Sequence, residues 1–311
     1  MTVSESVPTR PFGAVGTAMV TPFTPDGSAI DYEAAAALTA HLVATGNDQL
    51  VVSGTTGESP TTADAEKVEL ARVVREAAPG ATVIAGVGSN DTAHSVEMAR
   101  AHADLGLDGL LVVSPYYSRP SQAGVEAHVR AVLDATELPV MLYDIPGRTG
   151  VPFARDTLLR LGEHEQVLAV KDAKGDLAEA TAVMAATGLA YYSGEDALNL
   201  PWLSIGAAGV VSVVGQVAGP LERELVDAVD RGDLAAARSA HTRLAPLVEA
   251  LMSRMPGAVA AKAALHLQGV LPHAAMRGPL LPADPDQLRA LAAALETVDG
   301  IPTLDTTRRS A

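Results

Sequence analysis

The chain of 311 residues carries a formal charge of −15, and 48% of its residues are hydrophobic. This length and apolar content suit one large α/β domain with a sizeable core. The acidic balance argues against a nucleic-acid partner, because there is no basic field to bind phosphates.

Cysteine is absent, which excludes disulfides, thiolate metal sites and cysteine nucleophiles. The first ten residues contain no hydrophobic signal core, and no apolar run reaches the roughly 18 residues of a membrane span. We therefore expect a cytoplasmic protein with no membrane partner.

Short β-rich segments alternate with alanine-rich helical segments along most of the chain. The eight strand segments are 15–22, 49–53, 82–86, 109–114, 139–143, 167–171, 190–193 and 209–214. Polar residues that can cap a helix stand at the start of several helical segments. These capping candidates are Asp31, Thr62, Asp91, Ser121 and Asp176.

Eight strand–helix units predict a closed (β/α)₈ TIM barrel over residues 13–231. Residues 232–298 are predicted to form a helical C-terminal extension packed on the barrel, helical throughout apart from breaks at two prolines. Residues 1–12 and 299–311 are expected to be loose tails. The alternative is a doubly wound Rossmann sheet, but its glycine fingerprint is incomplete, because Asp91 replaces the third glycine.

Lys171 ends the apolar segment 167–171, where packing alone does not call for a cation. The carboxyl ends of barrel strands are where catalytic side chains are placed. Lys171 is therefore a candidate catalytic residue, with a solvated strand cap as the alternative. Lys174 follows in the turn, and would lower the pKa of Lys171 if the two ammonium groups lie close together.

Three other strand ends also carry polar residues. Thr55 and Thr56 follow strand 2 in a glycine-bounded turn that suits a carboxylate, although the turn is also compatible with a simple helix cap. Adjacent tyrosines follow strand 4, where Tyr117 could instead serve an interface. Tyr143 ends strand 5 beside the position of Lys171, and Arg148 follows it as either a carboxylate-binding residue or a surface ion-pair partner.

A lysine, a phenol and a hydroxyl on one rim suit Schiff-base chemistry. A neutral lysine amine attacks a ketone, and a tyrosine shuttles the proton as the carbinolamine collapses. The histidines form no pair with metal-ligand spacing, so we expect neither a metal nor any other cofactor.

These motifs, in this order over about residues 12–295, resemble the 4-hydroxy-tetrahydrodipicolinate synthase (dihydrodipicolinate synthase) family. The motifs that carry the resemblance are Gly54-Thr-Thr-Gly-Glu58, Tyr116-Tyr117, Leu142-Tyr143…Arg148-Thr-Gly150, Val170-Lys171-Asp-Ala and Gly209-Val-Val-Ser212. The resemblance implies a TIM-barrel lyase of lysine biosynthesis that joins pyruvate, held as a lysine Schiff base, to L-aspartate 4-semialdehyde. It also implies a homotetramer built as a dimer of dimers.

Residue roles follow from the same resemblance. Lys171 would form the Schiff base, and Tyr143, Thr55 and Tyr117 would relay protons, with Tyr117 reaching the site of a neighbouring subunit. Three further residues would bind the substrates. Thr56 and the backbone of Val211 would hold pyruvate, and Arg148 would hold the carboxylate of the semialdehyde.

The chain departs from the family pattern at Asp144, where Asn is common, and at Lys174, where a small hydroxyl residue is common. Two other functions stay open on the same fold. One is an N-acetylneuraminate lyase or keto-deoxy sugar acid aldolase, against which Arg148 argues. The other is a non-catalytic pyruvate sensor, against which the intact set of Lys171, Tyr143 and Thr55 argues.

The resemblance also bears on regulation by lysine. Lysine-sensitive members place a histidine where this chain has Lys67 and a glutamate where it has His94. These exchanges remove the counter-charge of a bound ammonium group and add a repelling one. We therefore expect lysine to inhibit weakly or not at all, even though Asn90 and Tyr116 are retained.

Overall fold

A computed structural model describes residues 8–298. Eight parallel strands form one closed barrel in which each strand pairs with the next in sequence and the eighth pairs with the first. The strands are β1 (Val15–Ala18), β2 (Gln49–Val52), β3 (Thr82–Gly86), β4 (Gly109–Val113), β5 (Val140–Asp144), β6 (Val167–Asp172), β7 (Ala190–Ser193) and β8 (Gly209–Ser212). The predicted TIM barrel is confirmed, and the closed order excludes a Rossmann sheet.

One or more helices follow every strand. They are α1 (Tyr32–Ala44), α2 (Asp64–Ala77), α3 (Thr92–His102), α4 (Gln122–Leu133), α5 (Pro146–Thr149), α6 (Arg155–Leu161), α7 (Leu177–Thr187), α8 (Asn199–Ser204), α9 (Gly215–Asp230), α10 (Leu234–Met252), α11 (Gly257–Leu267) and α12 (Pro285–Glu296). The predicted caps are confirmed where a side chain accepts a first-turn amide, at Asp31, Asp91, Ser121 and Asp176. Thr62 does not cap α2, because Ala63 is its N-cap residue and Glu66 accepts the Ala63 amide.

The barrel interior is a compact apolar cluster to which the strands contribute alternate residues. Met141 and Ala169 belong to this cluster, so Tyr143 and Lys171, two residues further along β5 and β6, also point inward. Both side chains therefore emerge at the carboxyl end of the barrel, where the strands deliver residues to a shared rim.

The amino end of the barrel is closed by residues that were expected to be a loose tail. Phe12 is 1% exposed and its amide donates to the Tyr192 hydroxyl at 3.2 Å, while Arg10 forms an ion pair with Asp230 at 2.7 Å. The prediction is wrong for these two residues, because an aromatic ring plugs the barrel. The rest of the predicted tails, 1–7 and 299–311, lies outside the described residues.

Three helices form the C-terminal extension, and α11 is its most buried element, with nine of its eleven residues inside. It packs against α9 and α12, so the extension shares the barrel's core. Apart from the break expected at Pro272, the prediction of helix is wrong for residues 268–284, which form neither helix nor strand. None of the helices within residues 8–298 is long and apolar enough to cross a bilayer.

Candidate active site

Lys171 and Tyr143 face each other at the carboxyl end of the barrel. The two residues are register partners on β6 and β5, and each is 5% exposed. The Lys171 Nζ lies 4.3 Å from the centroid of the Tyr143 ring. The structure thus brings together the two residues that the sequence placed on neighbouring strand ends.

The environment of Lys171 favours its neutral form. Burial lowers the pKa of Lys171 to about 8, with the Asp196 carboxylate opposing the shift and the Arg148 guanidinium adding to it. A free lysine has a pKa near 10.4, so the buried amine is far more often unprotonated near neutral pH. An unprotonated amine is what nucleophilic attack on a ketone requires.

Tyr143 is held in its protonated form. Burial raises the pKa of Tyr143 to about 12, while a hydrogen bond with Thr55 and the charge of Arg148 act in the opposite direction. The phenol therefore carries a proton at neutral pH and can donate it, and the Thr55 hydroxyl of the strand-2 loop lies close enough to influence its pKa.

A cavity of about 230 Å³ opens beside these residues. Its lining brings together groups from the ends of β2, β4 and β5, including Thr55, Tyr116, Tyr143 and Arg148. Leu111, Val113 and Ile145 add apolar side chains to the lining, as is common for sites that bind small molecules. The volume suits a substrate of a few carbon atoms and not a large cofactor.

Arg148 lies in the short helix α5 and its side chain is exposed at the cavity. Among residues 8–298 no carboxylate forms an ion pair with it, although 17 other ion pairs are present. The alternative interpretation as a surface ion-pair partner therefore finds no partner within the described chain. A guanidinium that points into a cavity is suited to a carboxylate ligand.

Four predicted site residues lie outside this cavity lining: Lys171, Thr56, Val211 and Tyr117. Lys171 adjoins the cavity through Tyr143, whose ring it contacts. Thr56 and Val211 are 8% and 1% exposed, so little of either residue is accessible from solvent. Tyr117 is 88% exposed, has a φ of +72° and extends away from the protein surface. Within one chain, the structure does not bring Tyr117 to the site.

Lys174 does not play the part that its position in the sequence suggested. Its Nζ lies 2.6 Å from Glu179 and 3.5 Å from the buried carboxylate of Asp144. The lowered pKa of Lys171 comes from burial and from Arg148, and not from the charge of Lys174. The hypothesis that Lys174 lowers the pKa of Lys171 is therefore wrong. The two departures from the family pattern, Asp144 and Lys174, instead form an ion pair with each other.

The turn after β7 contributes three residues that the sequence reasoning missed. Gly194 leaves room for the Lys171 side chain, since a Cβ there would lie 3.1 Å from the Lys171 Cε. Asp196 accepts the amides of Val213 and Val214 at 2.9 and 3.1 Å. Glu195 is half-buried and its charge raises the pKa of Tyr143.

A signal for these residues was available in the sequence. Polar side chains at the carboxyl ends of predicted strands 2, 4, 5 and 6 indicate candidate site residues. The stretch Ser193-Gly-Glu-Asp196 has the same character at strand 7.

A second cavity of about 140 Å³ adjoins the first and shares Tyr116 with it. Lys67, Asn90 and His94 line it, which are residues of the expected lysine-binding region. The Lys67 Nζ and the His94 Nε2 both contact Asp64, at 3.3 and 3.0 Å. The Asp64 carboxylate is therefore already paired with two basic side chains that line the cavity.

Comparison with known proteins places this geometry in a family. The model of the dihydrodipicolinate synthetase family matches residues 11–298. A 4-hydroxy-tetrahydrodipicolinate synthase of Kineococcus radiotolerans is 58% identical over 94% of this chain and 96% of its own length. A 4-hydroxy-tetrahydrodipicolinate synthase 2 of Streptomyces coelicolor is 53% identical, over 92% and 95% of the two chains.

A solved structure gives the same result. The dihydrodipicolinate synthase of Cyanidioschyzon merolae, crystallised with lysine bound, superposes with a TM-score of 0.89 at 43% identity, over 93% of this chain and 99% of its own. The closed barrel of this chain therefore agrees with the fold of this relative. This chain belongs to the dihydrodipicolinate synthetase family.

Proposed function

We propose that this chain performs the 4-hydroxy-tetrahydrodipicolinate synthase reaction, in which pyruvate bound as an imine on Lys171 condenses with L-aspartate 4-semialdehyde. The observation that carries the proposal is the buried Lys171 amine, which lies against Tyr143 with a lowered pKa beside a small cavity. The shared activity of the relatives supports the choice of substrates.

The first half of the reaction forms the imine. The Lys171 Nζ attacks the ketone carbon of pyruvate, the ketone oxygen gains protons and leaves as water, and a protonated imine remains. Tyr143 donates a proton during this collapse and takes one back, with Thr55 as the next group of the relay. Thr56 and the backbone of Val211 hold the carboxylate of pyruvate.

The second half forms the carbon–carbon bond. The protonated imine withdraws electrons, so the methyl carbon of the bound pyruvate loses a proton and becomes an enamine. That carbon attacks the aldehyde carbon of the semialdehyde, whose oxygen accepts a proton. Arg148 holds the carboxylate of this second substrate at the mouth of the cavity, as its exposed position allows.

Tyr117 is the reason to propose an oligomer. An exposed aromatic side chain on a left-handed backbone, close to the site but directed away from it, suits donation to a second subunit. We assign it to the relay of a neighbouring subunit in a homotetramer built from dimers, located in the cytoplasm. No metal or other cofactor takes part in the proposed steps.

A substrate comparison tests the function. The purified chain is assayed with pyruvate and the semialdehyde, and in parallel with N-acetylneuraminate and keto-deoxy sugar acids. We expect condensation of the semialdehyde and no cleavage of the sugars. Cleavage of a sugar acid without condensation would assign the site to the other branch of the superfamily.

Arg148→Ala should separate the two halves of the reaction. Imine formation with pyruvate is expected to persist, because Lys171 and Tyr143 are untouched. Condensation should fall by roughly 10- to 150-fold, since a charge-assisted hydrogen bond contributes about 1.5–3 kcal/mol. Borohydride trapping measures the first half and steady-state turnover the second.

Arg155→Ala provides the matched control, because this arginine starts α6 and does not line the cavity. Normal turnover of the semialdehyde by Arg148→Ala would contradict the proposed contact between Arg148 and the carboxylate. It would favour the alternative function as a sugar-acid aldolase.

Lysine should inhibit this enzyme weakly or not at all. A lysine ligand in the second cavity would bring its ammonium group towards Lys67 and His94, while Asp64 is already paired with both. Like charges repel and the counter-charge is taken, in contrast to the relative that is described with lysine bound. Titration of lysine into a turnover assay measures this, and half-inhibition at sub-millimolar lysine contradicts it.

A further inference from the structure

The loop that carries Thr55 and Thr56 is held in an unusual backbone conformation. Ser53 and Glu58, which bracket it, are non-glycine residues and both have a φ of +54°. Left-handed backbone is unfavourable for such residues, so it persists only where surrounding contacts hold it in place. The contacts of Glu58 therefore bear on the position of the two threonines.

Glu58 is held by the C-terminal extension. Its Oε1 accepts a hydrogen bond from the Lys262 Nζ at 2.5 Å, and its Oε2 accepts one from the Arg277 amide at 3.0 Å. Both side chains of the Glu58–Lys262 pair are 1% exposed. A buried ion pair of this kind leaves an uncompensated charge when one partner is removed.

Lys262 itself is fixed from three sides. It lies in the buried helix α11, donates to the Ala275 carbonyl at 2.8 Å and stacks on the Phe23 ring with 3.9 Å between the Nζ and the ring centroid. Because these partners restrain the ammonium group, it can serve as a fixed point for the Glu58 carboxylate.

A second contact ties the same parts of the chain together. Arg277 forms an ion pair with Glu66 at 2.6 Å and donates to the Thr61 and Gly27 carbonyls at 3.0 and 2.8 Å. The segment after α11 is thus fastened to the C-terminal side of the strand-2 loop and to the loop after β1, which accounts for its position without helix or strand.

We propose that the buried Glu58–Lys262 pair positions the Thr55–Thr56 loop for catalysis. Neither residue touches the substrate, so both act through the loop: the C-terminal helix α11 sets the relay hydroxyl of Thr55 against Tyr143. The inference rests on the proposed function and adds to it a positioning residue outside the barrel.

Lys262→Met tests the proposal, because methionine is an unbranched side chain only one heavy atom shorter than lysine and carries no charge. We expect kcat to fall by roughly 10- to 100-fold, since misplacing a catalytic group by about 1 Å costs up to about 10²-fold. Lys262→Arg keeps the cation and should recover most of this loss. The KM for semialdehyde should change little, because Arg148 is on another loop.

Arg10→Met is the matched control. It breaks a partly buried ion pair with Asp230 at the opposite end of the barrel, so it should lower the unfolding temperature without lowering kcat. A purely structural role for Lys262 predicts that both variants lose kcat in proportion to their unfolding temperatures, and that result would overturn the proposal.

Three further outcomes decide between the positioning role and the proposed function. If Lys262→Met does not fold, Glu58→Gln carries the same test with a smaller change, and unchanged kcat in a folded Glu58→Gln rejects the positioning role. If the unmutated chain shows no condensation at all, the proposed function fails first. An active parent with an equally active Lys262→Met rejects only the present inference.

Discussion

Borohydride reduction in the presence of pyruvate should add one adduct to the chain, on Lys171, and Lys171→Met should form none. The expectation follows from the surroundings of Lys171, whose side chain is 5% exposed and whose pKa is about 8. The other three lysines, Lys67, Lys174 and Lys262, each form an ion pair with a carboxylate. Peptide mapping by mass spectrometry locates the adduct. Turnover should fall to the background of the uncatalysed reaction.

The pH dependence of trapping provides a second check. Lys171 attacks only when neutral, so the rate of imine formation should rise with pH up to about 8 and level off above it. Lys174→Met is the matched control. The ammonium group of Lys174 pairs with Glu179 and Asp144. The Lys174→Met variant should therefore form the same adduct, and its rate of imine formation should rise over the same pH range. An adduct on Lys174 contradicts the assignment.

Much of the architecture follows from the sequence because barrel strands are buried on both sides and read as apolar runs. All eight strands were predicted, and Lys171 was informative because a cation ending such a run has no packing role. The Tyr143–Lys171 contact was also predictable, since neighbouring parallel strands in register bring their ends together.

The remainder depends on contacts between segments far apart in sequence. Phe12 looked like part of a polar tail, and only the closed barrel provides the interior that buries it. The partner of Lys262 was equally hidden, because Glu58 and Lys262 are 204 positions apart, and Asp144 meets Lys174 from the end of the neighbouring strand β5. Residues 268–284 were predicted to be helical apart from a break at Pro272. Their conformation is instead set by the contacts of Arg277 with distant residues such as Glu66, which local periodicity does not show.

Tyr143→Phe should lower kcat by roughly 10²- to 10⁴-fold, the usual contribution of a positioned proton-transfer group. The phenol is protonated at neutral pH, lines the same cavity as Thr55 and packs against Lys171, so it is placed to donate as water leaves the carbinolamine. Phenylalanine keeps the ring and its packing on the amine. Pre-steady-state trapping with borohydride should show slow imine formation but, at long times, the full adduct.

Tyr192→Phe distinguishes a catalytic hydroxyl from a buried structural one. Tyr192 is fully buried on β7, but its hydroxyl contacts Phe12 and the Gly13 carbonyl at the amino end of the barrel. Its loss should lower the unfolding free energy by about 1 kcal/mol, the worth of a hydrogen bond, with kcat unchanged. If both variants lose kcat to the same degree, or Tyr143→Phe forms the imine at the parental rate, Tyr143 is not the proton donor.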